Sequence, residues 1–183
     1  MKKESTAKYV LRLALTLFLI TAVVACCLAA VNSVTKPRIA AAKELKTQQA
    51  IEAVLPGGGE EVKQFQDETG TVSKVYASDQ GYAVEVSPSG FGGPITMMVG
   101  VSNDLEVLGI SIVSQTETAG LGAVSAAKTA AGEAFRNQYA GTSGQLAVAR
   151  DGGSIDAITG ATITSRAVTA GVNAALACAA GFQ

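Results

Sequence analysis

TVSKVYASDQGYAVEV, residues 71–86, decides the fold. Two short runs rich in Val and Tyr, 72–77 and 82–86, flank the polar tetrapeptide Ser78-Asp79-Gln80-Gly81, a pattern that predicts an antiparallel hairpin. A second hairpin follows, with residues 95–101 and 106–113 on either side of a turn at Asn103-Asp104. Between the two lies a glycine-rich corner, Ser89-Gly90-Phe91-Gly92-Gly93-Pro94. Downstream, the polar loop Gln115-Thr116-Glu117-Thr118-Ala119-Gly120-Leu121-Gly122 leads into a helix predicted over 124–139. A short strand is predicted over 145–149. An alanine-rich helix is predicted over 165–180, with Val168, Val172, Leu176 and Ala179 on one face. Strands followed by helices make the class α+β, an antiparallel sheet packed by helices.

Upstream the composition changes. LALTLFLITAVVACCLAAV, residues 13–31, is an uncharged run that spans about 28 Å as a helix, close to the ~30 Å hydrocarbon core of a bilayer. It is longer than the apolar part of a signal peptide and reads as an uncleaved anchor. Lys2, Lys3, Lys8 and Arg12 precede it, and Lys36, Arg38, Lys43 and Lys46 follow, so charge nearly ties. The short head favours an inside N-terminus, with the soluble domain on the extracytoplasmic side of the cell membrane. A rival reading takes Val23-Val24-Ala25-Cys26 as a lipobox, with Cys26 as a lipidated N-terminus, although the apolar run continues past it. Lys36-Pro37 predicts a break, and residues 39–55, rich in Ala, Lys, Glu, Gln and Leu, predict a second helix that Pro56-Gly57-Gly58-Gly59 ends. The resulting organisation is a head and span over 1–35, a juxtamembrane helix and linker over 36–59, and one domain over 60–183.

Composition removes several chemistries. The chain has no histidine, which excludes Ser-His-Asp and Cys-His catalysis, His-ligated haem and most zinc sites. Three cysteines cannot alone hold a four-thiolate iron–sulfur cluster, and Cys178 is the only one beyond the apolar segment. A net charge of −1 leaves no electrostatic footprint for nucleic acid. No catalytic acid or base and no metal site is expected. Gly120-Leu121-Gly122-Ala123-Val124-Ser125 lacks the third glycine of a dinucleotide loop and follows antiparallel strands. Ser125 and Lys128 have the spacing of a Ser-x-x-Lys hydrolase, without its other elements.

The chemistry is concentrated in Asp156-Ala157-Ile158-Thr159-Gly160-Ala161-Thr162-Ile163-Thr164-Ser165. Thr159, Thr162, Thr164 and Ser165 crowd hydroxyls just before a helix, where unpaired backbone N–H groups and the helix dipole suit a phosphate. Gly160 lets the backbone approach a ligand, and Arg166 is a candidate counter-charge. A plainer reading has Thr164 or Ser165 simply capping the helix. Glu117, the one carboxylate in the preceding loop, reads first as a solvated charge.

Asp156-x-x-Thr159-Gly160-Ala161-Thr162 resembles the flavinylation motif of FMN-binding domains, found in the G subunit of Rnf electron-transport complexes and the C subunit of sodium-translocating NADH:quinone oxidoreductases. Phe91-Gly92-Gly93-Pro94-Ile95 is similar to that family's glycine corner, and Thr116 to Gly122 resembles its E-T-P-G-L-G loop, with Ala119 in place of proline. The resemblance implies FMN linked covalently through its phosphate to Thr162 by a separate flavin transferase. It makes Thr159, Gly160 and Ala161 recognition and backbone-binding positions, with Asp156 required by the transferase. Thr164, Ser165, Glu117, Thr118, Leu121 and Gly122 complete the expected flavin surroundings. The Rnf G subunit is the nearer match in length. The partners implied are the other membrane subunits of a complex passing electrons between ferredoxin and NAD and translocating ions. The competing class is a redox-inactive, membrane-anchored or lipid-anchored binding subunit.

Overall fold

A computed structural model describes residues 6–62, 64, 65, 67 and 69–182, which fall into two compact units, Met1–Glu44 and Leu45–Gln183. Helix α1, Thr6–Val54, begins in the first unit and ends in the second. In the first unit Leu15, Leu17, Phe18, Leu19, Leu28 and Val31 are all exposed. A helix that is apolar and exposed on every side suits hydrocarbon as its solvent, and α1 is long and apolar enough to cross a membrane. The Thr16 and Thr21 hydroxyls donate to the carbonyls of Arg12 and Leu17, so neither needs water. The break expected at Lys36-Pro37 is absent: Pro37 lies inside α1. Proline removes only the hydrogen bond to the Ser33 carbonyl, and the good helix formers Ala40, Ala41 and Ala42 carry the helix onward.

The second unit is built on a five-stranded antiparallel meander in sequence order. Its strands are β1 Glu60–Val62, β2 Val72–Ser78, β3 Gly81–Val86, β4 Thr96–Ser102 and β5 Val107–Ser114. Both expected hairpins are present, with Ser78 paired to Gly81 and Val99 to Ile110. On one sheet face Val84, Val86, Met97, Val99 and Val101 pack with Val168, Val172, Ala175 and Ala179 of helix α3, Thr162–Ala180. On the other, Ala83, Met98 and Val113 meet Ala50, Ile51, Val54 and Leu55 at the end of α1. Gly100 stands where the Val54 carbonyl touches β4, and any Cβ there would strike it. Full burial of each Val or Met in these layers contributes roughly 1.5–3 kcal/mol.

Three local expectations fail for identifiable reasons. The helix predicted over 124–139 is a 3-10 turn, Gly122–Ala126, followed by α2, Ala130–Asn137. Thr129 adopts extended backbone and caps α2 by accepting the Gly132 N–H. The Arg136 guanidinium holds the preceding turn by donating to the carbonyls of Ser125 and Ala127, at 2.7 and 3.0 Å. The strand predicted over 145–149 is reduced to a bridge between Val148 and Ile155. Leu146 gives its N–H to Asn173 Oδ1 (2.9 Å) and accepts from Asn173 Nδ2 (2.8 Å), which replaces a ladder. Finally, α3 starts at Thr162, three residues earlier than the pattern predicts.

Candidate functional site

The early start of α3 creates the site. Its N-cap is Ala161, which has no side chain able to cap. The N–H groups of Thr162, Ile163 and Thr164 therefore form a first turn without intrahelical carbonyl partners. Neither Thr164 nor Ser165 caps the helix, because both lie within it. Ser165 Oγ accepts the Ile158 N–H and donates to the Ala161 carbonyl, both at 3.0 Å, folding the 158–161 turn onto the helix. The Thr164 hydroxyl donates to Glu117 Oε2. Thr162 is different: among the described residues its hydroxyl has no hydrogen-bond partner, and the residue is half-buried on the wall of a cavity.

That cavity measures about 440 Å³, within the roughly 300–1,000 Å³ of ordinary ligand pockets. The glycine corner, the 117–122 loop and the start of α3 close around it. Glu117 joins all three. It is 8% exposed, its Oε1 accepts the Gly92 N–H at 2.8 Å and its Oε2 accepts from Thr164. The expectation of a solvated loop charge is thus corrected: the carboxylate is a buried brace. Gly122 lies against it so closely that a Cβ would strike Glu117 and Thr164. Gly160 adopts φ +75°, the left-handed region, and a Cβ there would come within 3.0 Å of Leu121 Cδ2.

Of the residues singled out in the sequence, Glu117, Thr118, Leu121, Gly122, Gly160, Ala161, Thr162 and Thr164 line the cavity. Asp156 and Thr159 are outside its lining, both exposed, and Ser165 is buried behind it. The Gln138 side chain holds both backbone groups of Asp156, accepting its N–H (2.7 Å) and donating to its carbonyl (3.2 Å). Arg166 is not the counter-charge of the cavity. It forms a two-pronged pair with Asp151 at 2.6 and 2.7 Å, and that hydrogen bonding holds the Asp151 carboxyl below its usual range. The cation on the wall is Arg150, which sequence reasoning passed over because its segment read as the end of a strand. Ile163 and Phe91 were also missed as lining residues. Each is apolar within a polar or glycine-rich stretch, the signal that could have marked them.

These residues fit a flavin phosphate. Phe91, Ile163 and Leu121 are 69%, 51% and 42% exposed at the cavity, apolar surface that a planar ring would cover. The uncapped first turn supplies donors beside Thr162, and Arg150 adds a positive charge to the cavity lining.

Residues 90–177 match the model of the FMN-binding domain family, and residues 1–54 match that of the RnfG N-terminal region. The G subunit of the Na(+)-translocating ferredoxin:NAD(+) oxidoreductase complex of Acetobacterium woodii is 34% identical, covering 91% of this chain and 89% of that protein. The chain belongs to the Rnf G-subunit family. The G subunit of the proton-translocating ferredoxin:NAD(+) oxidoreductase complex of Clostridium ljungdahlii is 35% identical, over 81% of this chain and 80% of its own length. The G subunit of the ion-translocating oxidoreductase complex of Pseudomonas aeruginosa is 30% identical over 94% and 89%. The FMN-binding match runs from the glycine corner through α3, so this Rnf G chain has its cavity entirely within that region.

Proposed function

We propose that this chain is a flavin-bearing electron-transfer subunit of a membrane complex linking ferredoxin and NAD to ion translocation, with FMN joined through its phosphate to Thr162 Oγ1. One observation carries the linkage. Of the hydroxyls at 159, 162, 164 and 165, those of Thr164 and Ser165 are already engaged and Thr159 lies outside the cavity. Thr162 alone of the four lines the cavity with an uncommitted hydroxyl. A threonine hydroxyl is a weak nucleophile, and the chain has no histidine to activate it, which supports an external flavin transferase. The balanced step is attack of Thr162 Oγ1 on the flavin-side phosphorus of a flavin dinucleotide. One P–O bond forms, the pyrophosphate bond breaks, a nucleoside monophosphate leaves, and the threonine proton passes to a base of the transferase.

FMN supplies one- and two-electron chemistry that no side chain here provides. The first turn of α3 and Arg150 hold the phosphoryl end, while Phe91, Leu121 and Ile163 shield an apolar ring from water. Asp156, exposed and clamped by Gln138, is presented to the transferase. In this reading the domain lies on the extracytoplasmic side of the membrane, with the residues before the span inside. Other subunits of the complex donate and accept the electrons.

The test is full-length protein co-produced with a flavin transferase, denatured, run on a gel and viewed for flavin fluorescence, with a peptide map to place the adduct. Wild type and Thr162→Ser carry flavin, whereas Thr162→Ala folds and carries none. Covalent flavin in Thr162→Ala refutes the site, and its absence from wild type supports a redox-inactive binding subunit instead.

A further inference from the structure

The buried carboxylate of Glu117 is the most unusual chemical group near the cavity, and the ester linkage at Thr162 gives it no role. It sits on the same wall as Thr162, Thr164 and Gly122 and is almost removed from water. Each oxygen accepts a hydrogen bond from a group distant in sequence, the Gly92 N–H on one side and the Thr164 hydroxyl on the other. Two donors converging on two oxygens is the arrangement of an ionised carboxylate. The surroundings also keep it in place. Cβ atoms at Gly90 and Gly122 would collide with it, so both glycines leave room for this side chain. Glu117 makes no salt bridge among the described residues: Arg166 is engaged by Asp151, and Arg150, though it lines the same cavity, forms no ion pair with it. A structural tie between loop and helix needs only a neutral polar group. A charge costs more to bury and is therefore an expensive brace.

We propose that Glu117 is a positioning residue whose fixed negative charge lowers the reduction potential of a flavin held in this cavity. The inference rests on the assignment of FMN to this site. Reduction adds negative charge to the bound group. A fixed anion on the wall raises the free energy of the reduced form relative to the oxidised one, and low local polarisability strengthens the effect. Gly92 and Thr164 screen the charge partly and hold its position. Thr164 is thus reserved for Glu117.

The experiment is a redox titration of full-length, covalently flavinylated protein followed by flavin absorbance. Glu117→Gln keeps the shape and removes the charge; its amide oxygen still accepts the Gly92 N–H, while its NH2 donates to a Thr164 hydroxyl turned to accept. Its oxidised-to-reduced ratio at fixed potential falls on the order of tenfold, a positive shift of about 59 mV for a one-electron step. Thr164→Val removes one donor and keeps the charge, so its potential stays equal to wild type or falls. A second readout is amide hydrogen exchange in unflavinylated full-length protein. Gly92 stays protected in Glu117→Gln and loses protection in Glu117→Ala, because the brace depends on an acceptor rather than on charge. An unchanged potential in Glu117→Gln overturns the proposal, as does an equal positive shift in Thr164→Val. If Glu117→Gln takes no flavin, Thr164→Val decides alone: a raised potential means that geometry, and not charge, sets the value. Absence of covalent flavin from wild type sinks the assignment of FMN and is thereby distinguished from failure of the role of Glu117.

Discussion

Substitution of Gly160 tests how the turn before α3 shapes the cavity. At φ +75°, alanine meets the left-handed penalty of about 1–2 kcal/mol, offset by a loss of unfolded-chain entropy of about 0.4–1 kcal/mol. The added Cβ would approach Leu121 Cδ2 at 3.0 Å, a flexible tip that can yield. Gly160→Ala is therefore destabilised by about 1 kcal/mol, or about 3–4 °C in Tm for a domain of this size. Gly160→Val adds branched atoms against Leu121 and a conformation that β-branched residues avoid, a further ~1–3 kcal/mol. Its Tm falls by roughly 10 °C. Leu121 forms cavity wall, so its displacement obstructs the approach to Thr162 as well. Scanning calorimetry and denaturing-gel flavin fluorescence on the same samples give both numbers. Gly160→Ala remains largely flavinylated, and Gly160→Val, held well below its Tm, does not. A Gly160→Val protein that melts with wild type, or is labelled at the wild-type rate, refutes the reasoning about this turn.

Tyr139 is fully buried and bonded to Thr169 at 2.9 Å, and burial pushes its phenol up to about 12. The unfolded phenol ionises near pH 10 and the folded one later, so stability falls as pH rises from about 10 to 12. Tyr139→Phe reduces that alkaline loss in denaturant melts, while sacrificing about 0.5–1.5 kcal/mol at neutral pH for the missing hydrogen bond. The Asp151 carboxyl is held low by Arg166, so the pair's contribution is complete above the unfolded carboxyl pKa of about 3.9 and disappears as pH falls through the lower folded value. Arg166→Gln removes that acid-dependent part of the Tm profile and leaves covalent flavin in place; a flavin-free Arg166→Gln protein would return Arg166 to the cavity.

The sheet was legible because each hairpin announces itself with a polar turn between β-branched runs, as at Ser78 to Gly81. The last helix was legible through Val168, Val172, Leu176 and Ala179, although hydroxyl-rich residues 162–164 looked like its approach rather than its first turn. Their helical conformation follows from Ser165 binding back to Ala161 and Ile158, which no local propensity encodes. β1 was missed because three residues cannot display alternation. The helix predicted over 124–139 failed at Thr129, whose capping role competes with continuation. In the site, Thr162 stood out by motif. The burial of Glu117 did not, because the groups that hold it lie 25 and 47 residues away in the chain. Arg150 stayed hidden because its segment read as the end of a strand, whereas it lines the cavity.

Helix α3 is both mount and filler. Twelve of its residues are buried, and its far end packs Cys178 and Ala179 into the same core as β3 and β4. The turn that presents Thr162 therefore cannot swing or slide without unpacking the sheet. A cofactor seated there travels with a stiff body, so gating of its electron exchange falls to the approach of neighbouring subunits. Mutations that soften the alanine-lined core far from the cavity should consequently blur the cofactor's orientation before they unfold the domain.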